Sequence, residues 1–392
     1  MPSEEKLCPV TKATDGPLFH FFGYYDKYPW DASGHYLLSL RVAFMRRPPT
    51  PEDIAVIGMV DLRHGKCWRP LAETTAWNWQ QGTHLQWLGP THDCQIVFNL
   101  RERDHFASVI LDVRNGDRRL LPRPIYAVSA DGKQAVTLNF SRVARTRPGY
   151  GYVGVPDPWE KDPSPAEDGI YHMDLETGQN RLIISLAQMA QFLREPSMDG
   201  AEHWFNHLQF NPSGTRFIFL HRWRGPGMQG WHTRLYTASP DGSGITLLAG
   251  EHLVSHFDWR DDNHVLAWSR YKGEDHFHLY RDRSNEVEVV GADVLLQDGH
   301  CSYSPDRRWL LNDTYPDPVR SERTLMLYHP QSNTRVDVGR FYASAEITGE
   351  IRCDLHPRWS RDGTQVCFDS IHEGERQVYL MDVSNVVGSQ SQ

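Results

Sequence analysis

Asn206-His207-Leu208-Gln209-Phe210-Asn211-Pro212-Ser213-Gly214 leads a short strand-like run into Asn-Pro-Ser-Gly, and Phe217-Ile218-Phe219-Leu220 follows. Asn, Pro, Ser and Gly between two apolar runs mark a tight turn, so the stretch predicts a β-hairpin. With Phe210 as anchor, the same frame recurs at Trp30, Trp87, Val128, Trp259, Tyr303 and Trp359. The clearest following turns are Asp31-Ala32-Ser33-Gly34, Ser129-Ala130-Asp131-Gly132, Ser304-Pro305-Asp306-Arg307 and Ser360-Arg361-Asp362-Gly363. Three residues before the anchors stand Lys27, His84, Ile125, His207, His256, His300 and His356, so histidine holds this position in five of seven frames.

The frames are 41 to 82 residues apart, and each repeat has a later strand ending near a turn, as at Val60-Asp61, Leu111-Asp112, Met173-Asp174 and Met381-Asp382. Such a period suits a four-stranded blade that cannot bury both faces alone. The expected fold is all-β, a seven-bladed β-propeller of four-stranded antiparallel blades in one domain over residues 1–392. The widest interval predicts an insertion in the third blade at about 143–168 and a short helix at about 182–193. The first 20 residues should wrap the outside of the ring. The segment around Cys8-Pro9-Val10 should supply the outer strand of the last blade, and the tail after Val383 should fray.

Hydrophobic residues make up 39% of the chain and charged residues 23%, a globular balance. The net charge of −9 argues against a general nucleic-acid binder, although a local basic funnel can still attract an anion. No run of about 18 apolar residues predicts a membrane span. Met1-Pro2-Ser3-Glu4-Glu5-Lys6 lacks an apolar signal region, so a cytoplasmic location is expected, or a secreted or periplasmic one if a leader was removed. Six scattered cysteines show no paired spacing. Oligomeric state is not legible.

Starts of inner strands and ends of second strands share one face of a propeller. His84, His207, His256, His300, His356 and Tyr126 should therefore ring the axis on one rim. Arg142, Arg222, Arg224 and Arg270 leave second strands on that face, His105 sits on a turn there, and the long loop adds Arg147 and Tyr150. A basic, histidine-rich, aromatic funnel suits a carboxylate- or sulfate-bearing ligand. A lone histidine at a strand start is commonly a hydrogen-bonded core group. Five converging on one axis would repel if charged, and that favours a ligand or metal. Asp354 and His356, two apart on a strand, point the same way. With His300, and with His256 or His207 completing the shell, they form a candidate site for a divalent ion. Nitrogen ligands favour zinc, with manganese and calcium as alternatives. The chain has no Gly-x-Ser-x-Gly elbow and no Gly-rich phosphate loop, which weighs against nucleophilic catalysis and against the propeller half of a serine peptidase.

At these residues the sequence resembles the seven-bladed propeller polysaccharide lyases. The inner-strand histidines of blades four to seven, with Leu355-His356-Pro357-Arg358-Trp359, resemble oligogalacturonate lyase. Its metal histidine and closing His-Pro fall on His300 and His356, another metal histidine on Asp354, and its metal-binding glutamine on Ile351, so the ion would be held differently here. Trp79-Gln80-Gln81-Gly82-Thr83-His84 followed by His105 resembles the active-site histidine pair of the ulvan lyases. Tyr126 and Arg142 resemble their catalytic tyrosine and uronate-neutralising arginine.

The resemblance implies β-elimination on a uronic-acid-containing polysaccharide or oligosaccharide, leaving an unsaturated uronate end. It assigns His84 or His105 as base, Tyr126 as acid and Arg142 as carboxylate partner. Lys27, Arg147, Tyr150, Arg222, Arg224 and Arg270 are candidate substrate contacts. Glycosidases need two opposed carboxylates, which the rim positions do not offer. The alternative is a non-catalytic glycan- or protein-binding propeller.

Overall fold

The computed structural model describes residues 4–388. Seven antiparallel sheets of four strands follow one another around an axis, with one sheet carrying a fifth strand. This is the expected seven-bladed propeller. Val10–Lys12 pairs antiparallel with Gln377–Asp382, Val10 opposite Met381, and so completes the last blade as predicted. Glu4–Glu5 adds a parallel strand on Thr334–Tyr342 of the sixth blade, which was not anticipated. The N-terminal segment thus covers two outer edges whose backbone groups would otherwise face water unpaired. The C-terminal tail does not fray at Val383. Ser384–Val387 forms a helical turn, with Val386 buried against the sixth and seventh blades.

The repeated turns have a local cause. In blades three, six and seven a serine hydroxyl donates to an aspartate two residues on, Ser129 to Asp131, Ser304 to Asp306 and Ser360 to Asp362, each at 2.6 Å. The same aspartate accepts a backbone N–H two residues later at 3.1 Å. This closes the turn with side chains before any sheet forms. Gly132 and Gly363 take the left-handed position after the aspartate, φ 71° and 73°, and Arg307 holds it in the sixth blade at φ 64°.

The anchors explain the ring. The indole of Trp87 donates to Pro29 O at 2.9 Å, that of Trp259 to Gln209 O at 3.2 Å and that of Trp359 to Ser302 O at 3.3 Å. Each ties its inner strand to the preceding blade while its rings fill the seam.

The third-blade insertion begins in a helix, α1 (Phe140–Thr146), capped by Asn139, where the sequence predicted the end of a strand and the start of a loop. The predicted helix at 182–193 is shorter. Residues 180–185 pair with Gly169–Asp174 as the outer strand, and only α2 (Leu186–Gln191), capped by Ser185, is helical. Leu182 and Ile184 pair in the ladder and Ile184 is buried in the core, which outweighs the helical pattern. No helix of the described residues is long and apolar enough to cross a membrane.

Candidate active site

The inner strands are interrupted near the axis, and the interruptions build the site. In the first blade, Phe19–Phe21 pairs with the end of Tyr36–Val42, the chain then leaves the ladder, and Trp30 returns opposite Leu37. The excursion carries Tyr24 and Tyr25 to the axis. Gly23 permits it with φ 131°, where an added Cβ would lie 2.8 Å from the Gln81 backbone. In the fourth blade, pairing skips from Asn206 to Gln209, and in the fifth from Val254 to Phe257. His84, His207 and His356 all adopt left-handed backbone, φ 52°, 51° and 41°. Such bulges re-aim side chains and recur beside functional sites. Side chains cap the freed backbone donors. His207 N donates to Tyr126 Oη at 3.0 Å, Phe257 N to Tyr25 Oη at 3.0 Å and His300 N to Asp313 Oδ1 at 2.8 Å.

Tyr24 forms the floor. Its ring stacks on His207 (5.1 Å, 14°) and meets His356 at 4.9 Å, His300 at 6.1 Å and Tyr150 at 6.3 Å, near edge-on. His300, Asp354 and His356 lie on one side, all buried, with their ligating atoms within 4.8 Å of one another. Among the described residues, Nε2 of His300 and of His356 has no hydrogen-bond partner. His300 is oriented by Asp313, which lies 2.8 Å from Nδ1. Burial opposes the charge of Asp354, yet Arg352 at 2.6 Å and Arg323 at 2.7 Å hold its carboxyl well below the usual range. Burial, and then His300, hold His356 well below the usual imidazole range, so it keeps a lone pair to offer. Two unsatisfied imidazole nitrogens beside an ionised carboxylate fit a divalent cation, and Asp313 supplies the supporting carboxylate such ligands use. His207 and His256, the other two predicted ligands, face other partners. His207 Nδ1 lies 3.3 Å from Gln81 Nε2, and His256 Nδ1 lies 2.9 Å from Asp298. The His256 ring packs 4.1 Å from that of His300.

Two arginines able to take an anion stand beside Tyr150 and Trp231. Arg222 is 5% exposed, and its Nε and Nη1 have no hydrogen-bond partner among the described residues. Among the described residues it has no ion-pair partner. Burial, and then the adjacent Arg147, push its guanidinium down to about 10. Arg147 lies 4.5 Å from the Tyr150 ring and 4.8 Å from Trp231, and its Nε is also unpartnered. Arg222 flanks the same indole at 5.6 Å. A desolvated cation beside a second, partly buried one, with no carboxylate between them among the described residues, is costly, and the arrangement suits a ligand that brings one.

Several sequence assignments need correction. Arg142 does not face the funnel. It is buried in α1 and donates to His203 O, Asp162 O and Pro163 O at 2.8–2.9 Å and to Asp157 at 3.3 Å, holding the insertion in place. All its donors point into the protein because a helix, not a strand end, carries it. Arg270 pairs with Asp275 of its own hairpin at 2.7 Å. Arg224 stays at the rim, donating to Gly230 O and Thr146 O. His105 is half-exposed and paired with Asp104. Tyr126 is 1% exposed, with its hydroxyl held among Gln81, Asn206 and His207 N. His84 packs 4.3 Å from the Tyr126 ring, with both nitrogens buried and unpartnered. Lys27 pairs with Asp26 and lines a cavity of about 270 Å³ among the anchor aromatics and the turns after them, which none of the five histidines lines. Sequence reading missed Tyr24, Asp298, Asp313, Arg323 and Arg352. Only the Tyr24-Tyr25 pair beside Gly23 carried a usable signal.

No family model and no curated protein matches the chain. Among solved structures it is similar to an oligogalacturonate lyase from Vibrio parahaemolyticus, with TM-score 0.68 and 14% identity over 96% of this chain and 94% of that one. An oligogalacturonate lyase in complex with manganese gives TM-score 0.69 and 16% identity over 97% and 95%. A puromycin-hydrolyzing peptidase from Mycobacterium tuberculosis gives TM-score 0.50 and 13% identity over 98% of this chain and 55% of that one. At these identities the likeness is one of fold.

Proposed function

We propose that the protein is a lyase that cleaves uronate-containing oligosaccharides or polysaccharides by β-elimination. The observation that carries the reading is the unpaired Arg222–Arg147 site, joined through Tyr150 and Arg352 to a metal-competent cluster with a carboxylate-held histidine beside it. The arginines would hold a uronate carboxylate as a charge-assisted pair. His300, Asp354 and His356 would hold a divalent ion, as the similar oligogalacturonate lyase is described in complex with manganese. Zinc also accepts two imidazoles and a carboxylate. When bound, the ion supplies positive charge that draws electron density from a neighbouring carboxylate.

His256 is the base this geometry favours. Asp298 holds Nδ1, Nε2 makes no hydrogen bond among the described residues, and the ring adjoins His300. Its imidazole would take the proton α to the carboxylate. His84, without a carboxylate to orient it, and the outlying His105 are weaker candidates. Arg142 has no free donor for substrate, so Arg222 takes over that role. Arg352 and Arg323 keep Asp354 charged and leave an excess of positive charge toward an acidic substrate.

The test is a panel of polygalacturonate, oligogalacturonates, ulvan and alginate incubated with manganese- or zinc-loaded protein. Growth of the ultraviolet band of an unsaturated uronate is expected on at least one. Binding without that band would assign a glycan-binding propeller instead.

A further inference from the structure

We propose that Tyr24 is the proton donor to the departing glycosidic oxygen, an inference that rests on the elimination reading above. Elimination needs an acid as well as a base, and the hydroxyls near the axis differ in what they are free to do. Tyr25 Oη is engaged with the backbone of Phe257, donating to O at 2.9 Å and accepting from N at 3.0 Å. Tyr126 Oη caps the fourth-blade bulge. Tyr150 Oη accepts from Arg352 at 2.6 Å, and Tyr152 Oη accepts from Asn99 at 3.0 Å. The Tyr24 hydroxyl makes no hydrogen bond among the described residues and is not among the buried unpartnered atoms, so it keeps contact with solvent.

Position supports the assignment. Tyr24 touches both halves of the site, His207 on the arginine side and His300 and His356 on the metal-competent side. A sugar bridging the two halves would pass beside this ring. The stack on His207 and the neighbouring Tyr25, 4.6 Å away, hold the ring in one orientation. A phenol is protonated at neutral pH and so has a proton to give. A weakly acidic phenol is matched to an alkoxide leaving group better than an imidazolium would be.

The step balances. His256 Nε2 takes the C5 proton, and the electron pair of that C–H bond becomes the C4–C5 double bond. The C4–O4 bond breaks, and O4 keeps its pair and takes the Tyr24 proton. A water then carries the proton of the His256 imidazolium to the Tyr24 phenolate, restoring both groups.

Tyr315 is the competitor, since its hydroxyl also makes no hydrogen bond among the described residues and its ring lies 6.1 Å from His300. It is 39% exposed and lies on a loop outside the inner strands. Tyr24→Phe and Tyr315→Phe should be compared on the full metal-loaded chain, using the uronate substrate that the unmodified protein cleaves. Tyr24→Phe is expected to lower kcat about 100-fold with KM within about twofold, and Tyr315→Phe to stay near normal. A uronate whose C4 substituent leaves without protonation, such as a C4 fluoride, should be turned over by Tyr24→Phe at nearly the unmodified rate, which also shows that the variant is folded. Fluorotyrosine at position 24 should move the alkaline limb of the kcat–pH profile downward. Normal kcat in Tyr24→Phe, equal loss on both substrates, or the loss appearing in Tyr315→Phe instead overturns the assignment. If the unmodified protein yields no unsaturated product from any uronate, the elimination reading itself falls.

Discussion

The Tyr126 hydroxyl accepts a hydrogen bond from the backbone nitrogen of His207, 3.0 Å away and one blade on. It therefore closes a strand bulge, and this role needs no substrate. Tyr126→Phe should cost about 1 kcal/mol, toward the low end because Asn206 Oδ1 also accepts that N–H at 2.9 Å. Urea unfolding measures the loss. A variant of unchanged stability but abolished turnover would return Tyr126 to the chemistry.

Arg222→Met should separate stability from binding. Removing a desolvated cation that has no carboxylate partner is expected to stabilise the fold by about 1–3 kcal/mol. The same change should weaken uronate binding by about 100-fold, because the charge-assisted pair is lost. Thermal melting and calorimetric titration with an oligogalacturonate read the two effects, and a stability loss without a binding loss would make Arg222 structural.

Asp313→Asn should weaken manganese binding about 10- to 100-fold while leaving His300 in place, since the carboxylate orients the imidazole and raises its basicity. Paramagnetic titration of manganese follows this directly. Failure of the unmodified chain to bind either manganese or zinc removes the metal site.

Acid should unfold the protein early. Burial holds His20 and His203 at about 4 and His221 well below its ordinary 6.5. The unfolded chain takes up these protons below about pH 6.5 and the folded chain does not, so stability is full above that pH and is lost as pH falls toward 4. Each histidine contributes up to about 1.4 kcal/mol per pH unit in that window. Urea midpoints should fall steeply between pH 7 and 5, and a flat profile would contradict the burial of these rings.

Seven blades were legible because their signals are local. Ser129-Ala130-Asp131-Gly132 closes a turn with its own side chains, and Trp87, Trp259 and Trp359 repeat one frame whose indoles reach the preceding blade. Closure of the last blade by Val10–Lys12 was legible for a similar reason, since a ring with one strand short must find it elsewhere. Four of the five frame histidines also meet at the axis through Tyr24 and His256, as the shared frame implies.

The tertiary structure alone decided which side chains face the ligand space. Arg142 and Arg222 read alike in sequence, as arginines leaving second strands. Helix α1 turns the first into the insertion, while the second ends in the funnel with no partner. Tyr24 reaches the site by leaving its ladder, and its partners His207, His300 and His356 lie in three other blades far along the chain. Turn chemistry and strand alternation act over a few residues and are written in adjacent letters. A bulge aims a side chain by skipping ladder pairs, and its value depends on what the other blades bring to the axis, which only ring closure fixes.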